Sequence, residues 1–162
     1  MTNLNNATDA SMIRLILIYA VYFIFGVVVA FGVSMAIAGI SGGGIPLYVV
    51  ALIVPMLAAM QAGGSYVRQA GRAAGFGYSL IFGLLTAGLV LAVVLIAGQS
   101  GVLDAMLAQI DPYAMQNGMR MRALSPVLIL TGGLALFCNT MMFWAMTKGE
   151  MKRKLKREAG GR

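Results

Sequence analysis

The chain has 162 residues, 60% of them apolar and 10% charged, with a net charge of +7, no histidine and one cysteine. Soluble domains run at about 45–50% apolar and about 25% charged. The composition excludes a soluble globular domain, a disordered chain and a disulfide scaffold, and leaves an integral membrane protein.

The first twelve residues are polar and form a short N-terminal tail. Beyond them the charges divide the chain. Between Arg14 and Arg68 lie 53 uncharged residues, between Arg72 and Asp104 another 31, and between Arg122 and Lys148 another 25. A hydrocarbon core of about 30 Å takes roughly 20 apolar residues at about 1.5 Å each. The first gap holds two spans, broken by Ser41-Gly42-Gly43-Gly44 and Pro46. Glycine supplies the turn, and proline suits the first turn of the following helix. The pattern predicts an all-α polytopic protein with four transmembrane helices, at about 15–40, 45–67, 73–98 and 124–147. Strands of a barrel would alternate apolar and polar residues, and the run Leu89 to Ile96 does not.

Between the third and fourth spans, Val102, Leu103, Met106, Leu107 and Ile110 recur at helical spacing, and Asp111-Pro112 ends the repeat. This predicts a short amphipathic helix on the periplasmic side. After the fourth span comes a basic tail, residues 148–162, carrying seven Lys/Arg against two acids. Ten Lys/Arg fall on the side of both termini and only Arg120 and Arg122 on the other. The excess places both termini in the cytoplasm of a bacterial inner membrane. Lys152, Arg153, Lys154, Lys156 and Arg157 are then placed to meet anionic lipid headgroups. With no aromatic residue among these bases, nucleic acid is not the expected partner.

The spans hold no Asp, Glu or His. Ion-coupled transport, metal hydrolysis and histidine acid–base catalysis lack their usual groups, so neither an enzyme nor a cofactor is expected. Tyr22, Gln61, Ser79 and Asn139 lie seven to nine residues inside the cytoplasmic charges, at one depth, and form a candidate polar layer. Amides in hydrocarbon need partners, so Asn139 should face the bundle and meet Gln61 or Ser79. Small residues recur every fourth position at Gly71, Gly75, Ser79, Gly83 and Ala87, predicting a close helix–helix seam, within the chain or with another subunit. Pro55 should kink the second helix. Methionines cluster at Met106, Met115, Met119 and Met121, but thirteen in this chain read as apolar filler before they read as copper ligands.

Residues 55–72, Pro-Met-Leu-Ala-Ala-Met-Gln-Ala-Gly-Gly-Ser-Tyr-Val-Arg-Gln-Ala-Gly-Arg, resemble the second-helix end and cytoplasmic turn of a family of small four-helix bacterial inner-membrane proteins without an established activity. The likeness lies in the Ala/Gly-rich helix end, the Tyr66-Val67-Arg68 step and the Gly71-Arg72 pair. It implies the four-helix layout and basic tail, and no activity. The sequence thus points to a non-catalytic accessory or structural membrane subunit, partnered by lipid and by another membrane protein or its own copy. A small transporter or channel built on the polar layer is the alternative.

Overall fold

The computed structural model describes residues 11–41 and 47–160. The expected glycine turn at 42–46 and most of the polar N-terminal tail lie outside the described residues. The chain forms α1 (Met12–Ser41), α2 (Leu47–Ala70), α3 (Phe76–Gln99), α4 (Asp104–Ile110), α5 (Pro112–Gln116) and α6 (Arg120–Gly160). No strand occurs among the described residues. Helices α1, α3 and α6 are long and apolar enough to cross a membrane. α1 exposes Phe25, Val28, Phe31, Met35 and Ile40, and α3 exposes Ile81, Leu84 and Ile96. Such apolar outer faces mark a membrane-embedded protein, since water would penalise each of them.

The four long helices pack as a bundle in which α6 is the central partner. α3 lies along α6, α2 lies between α6 and α1, and α1 touches α3. α3 and α6 approach closely at Gly83. A Cβ there would fall on the Oγ1 of Thr140 and 3.1 Å from the Thr140 backbone nitrogen. Only glycine lets α3 and α6 meet at this distance, and close backbones gain the dispersion contacts that hold helices together in lipid.

The chain turns from α2 to α3 through Gly71, at φ +66°. Its N–H donates to the Val67 carbonyl at 2.9 Å and closes α2. The Ala74 N–H then donates to Thr147 Oγ1 of α6 at 3.3 Å, which fastens the turn to the bundle. α3 therefore starts at Phe76, three residues later than the charge pattern suggests.

At both ends α6 extends beyond the expected membrane span of 124–147. The helix does not stop near residue 147 but runs through the basic tail to Gly160. Lys, Arg, Leu, Met and Glu all propagate a helix well, and Arg153 pairs with Glu150 at 2.9 Å along the same face. Pro126 near the other end removes the hydrogen bond to the Arg122 carbonyl. Ser125 Oγ donates to that carbonyl instead, at 3.0 Å.

The connection from α3 to α6 carries two short helices where one was expected. In α4, Leu107 is fully buried, and Leu103 just before it is buried too; both join a small core with Ala123 and Leu124 of α6. Val102 is exposed and lies outside the helix. Asp111 then caps α5, its Oδ1 accepting from the Ala114 N–H at 2.9 Å, with Pro112 at the first helical position. Arg120 crosses back to Asp104 at 2.8 Å and to the Gln99 carbonyl at 3.0 Å.

Candidate functional site

Aromatic residues dominate the half of the bundle near the α2–α3 turn. Phe82 of α3 stacks on Phe143 of α6 at 4.2 Å between ring centroids. Tyr19 of α1 meets Phe82 edge-on at 5.9 Å, and Tyr66 of α2 meets Phe143 edge-on at 5.8 Å. Tyr66 also reaches Tyr78 of α3 at 5.1 Å, so every long helix contributes to one cluster. Offset and edge-on rings suit their quadrupoles and add to the apolar contact.

Asn139 of α6 sits inside this cluster and is fully buried. Its Nδ2 donates to Tyr19 Oη and to Thr86 Oγ1, both at 3.0 Å. Thr86 in turn donates to the carbonyl of Phe82 at 2.9 Å, which leaves its lone pairs free for Asn139. Both amide protons are thus used, and three helices are tied at one level. Asn139 Oδ1 and Thr140 Oγ1 are buried without a hydrogen-bond partner among the described residues.

The sequence grouped Asn139 with Gln61, Ser79 and Tyr22. The structure does not bring these four together. Gln61 is exposed on the outer side of α2, whose inner face is Ala58, Ala59, Ala62 and Tyr66. Tyr22 is exposed on α1, where Leu15, Tyr19 and Phe23 point inward. Ser79 is buried, but its hydroxyl donates to the Gly75 carbonyl of its own helix at 3.1 Å. Counting residues inward fixes depth and leaves the rotation of each helix undetermined, and rotation decides which polar groups meet. Tyr19 and Thr86 are the partners that counting missed. Thr86 lies three residues beyond Gly83 and seven beyond Ser79, on the face that the small-residue spacing turns inward.

Of the spaced small residues, Ser79, Gly83 and Ala87 are buried on α3. Gly71 belongs to the turn, and a Cβ on Gly75 would meet nothing within 4 Å. On the tail, Lys152, Arg153, Lys154, Lys156 and Arg157 are all exposed, and Lys148 lies 3.9 Å over the ring of Trp144. Among the described residues, no three of His, Cys, Asp and Glu gather where they could hold a metal ion.

Fold and site together define an all-helical membrane-embedded bundle whose interior polar groups are amide, hydroxyl and phenol. Comparison with protein-family models, with curated proteins and with solved structures found no match.

Proposed function

We propose that this chain is a non-catalytic accessory or structural subunit of the bacterial inner membrane, crossing it four times with both termini in the cytoplasm. The observation that carries this reading is the sealed state of the polar layer. Tyr19, Phe82, Thr86, Asn139 and Phe143 are all fully buried, so the layer works as an interhelical clasp closed off from the surface. A transport path would need water to reach those groups.

The fourth span is α2, which is 24 residues long and carries no charge before Arg68. The orientation is supported by the distribution of bases. Arg120 and Arg122, at the α4–α5 end, lie 2.8 Å from Asp104 and 3.4 Å from Asp111. The bases of the opposite end outnumber them and extend along α6. The resemblance of residues 55–72 to the family of small four-helix inner-membrane proteins supports the same layout.

Thiol labelling in intact membranes tests the reading. With Cys138→Ser removing the native thiol, Asn139→Cys is expected to resist a water-soluble maleimide, while a cysteine at Ala159 reacts from the cytoplasmic side. Rapid labelling at position 139 would favour the small transporter or channel. Purification in mild detergent should then recover another integral membrane protein, or a second copy, in fixed ratio.

A further inference from the structure

Helices α2 and α6 run side by side, and two adjoining hollows that share Glu150 and Arg153 follow their outer junction as a furrow. Its inner stretch is apolar, about 220 Å³, lined by Met60 of α2 and by Met142, Ala145, Met146 and Gly149 of α6. Glu150 and Arg153 close the upper end of this stretch. The same two residues begin a wider basic stretch of about 570 Å³. There Gly64, Val67 and Arg68 of α2 face Arg153, Lys154 and Arg157 of α6, with Glu150 and Glu158 beside them. The residues recur at three- and four-residue spacing on both helices, which places them on one face of each.

The charges of the basic stretch are only partly used within the chain. Arg153 holds Glu150 at 2.9 Å, and Arg68 donates to Ser65 Oγ at 2.8 Å. Lys154 and Arg157 have no ion-pair partner among the described residues. Four bases against two acids leave the stretch positive. Its depth is set by α6. Trp144 and Lys148 mark the edge of the hydrocarbon, and Glu150 to Arg157 follow in the direction of the headgroups, at about 1.5 Å per residue.

We propose that this furrow is a binding site for one anionic phospholipid. The phosphate lies among Arg68, Lys154 and Arg157, and an acyl chain lies along Met60, Met142 and Met146. The inference rests on the membrane reading above. An apolar channel passing at the membrane boundary into an unneutralised cluster of guanidinium and ammonium groups fits a molecule with the same order of chemistry along its length. Guanidinium groups match phosphate oxygens two at a time, and methionine side chains adapt to a flexible chain. Gly149 lines the channel, and a side chain added there would enter open space.

The test is native mass spectrometry of the full chain released from nanodiscs holding equal parts phosphatidylglycerol and phosphatidylcholine. One phosphatidylglycerol is expected to be retained at least fivefold over phosphatidylcholine. Arg68→Ala with Arg157→Ala should lower retention at least fivefold, and Gly149→Leu, which fills the channel without changing charge, should lower it as well. Lys148→Ala with Lys152→Ala, which removes the same charge off the furrow, should change it less than twofold. Equal loss in the two charge pairs would overturn the proposal in favour of general attraction by the tail. Unchanged retention in Gly149→Leu would overturn it too. Displacement of the lipid by millimolar inorganic phosphate alone would show a simple anion site in its place, and retention unaffected by phosphate supports the lipid. Reconstitution is scored separately: a chain that fails to enter nanodiscs refutes the membrane reading, whereas one that enters and retains no lipid refutes only the site.

Discussion

Asn139 shows how little energy a well-made polar contact needs to supply in order to fix an arrangement. Polar bonds between membrane helices average about 0.6 kcal/mol and rarely exceed about 1.7 kcal/mol. Asn139→Leu is therefore expected to lower stability by about 1 kcal/mol and to leave the protein folded. A denaturation titration in mixed micelles measures this, and a loss of several kcal/mol would mean that the amide does more than tie three helices. Gly83 is the opposite case, because even one carbon is too many beside Thr140. Gly83→Ala should destabilise by about 1–3 kcal/mol, the usual range for overpacking. Gly88→Ala, five residues on and open to its surroundings, should be neutral or slightly stabilising. Equal behaviour of the two in the same titration would remove the close approach of α3 to α6. The spacing of Ser79, Gly83 and Ala87 makes this face legible in the sequence, because small residues leave a periodic mark. Tyr19 was not readable as a partner of Asn139, since α1 has apolar residues all round and no stripe to reveal its rotation.

At the scale of the element, charge located each long helix but said little about where it ends, and α6 runs well past residue 147. Arginine and lysine mark where a chain leaves hydrocarbon, whereas a helix ends where its backbone finds another partner. α6 crosses that boundary with no change of conformation, and its tail stays helical. The α4–α5 connection shows which of two visible interactions matters more. The Arg120–Asp104 pair is short, but the two side chains are 34% and 42% exposed, so Asp104→Ala should cost less than about 1 kcal/mol. Leu107 is fully buried against Ala123 and Leu124, and Leu107→Ala should cost about 2–4 kcal/mol. Thermal unfolding of the two variants in one detergent ranks them, and the reverse order would mean that the ion pair, and not the small core, seats the connection.

For the whole molecule, the expected topology is tested by reporters active only outside the cytoplasm. A fusion after Gln116 should be active, and fusions at Gln69 and Gly160 silent; activity at Gly160 would remove either the count of four or the orientation. The packing order carries a consequence for how the molecule is made. α1 and α2 pack on each other and emerge together, but α3 leans chiefly on α6, which follows only after α4 and α5. While synthesis proceeds at about 5–20 residues per second, α3 spends several seconds in the bilayer with its Gly83 face unmatched. Through that interval α3 can lean on α1 through Tyr19 and Phe82, but its Gly83 face has only lipid, or a chaperone of the insertion machinery, to meet. A ribosome stalled between residues 100 and 120 would leave behind a half-assembled chain that quality-control proteases could tell from the finished one by that bare face.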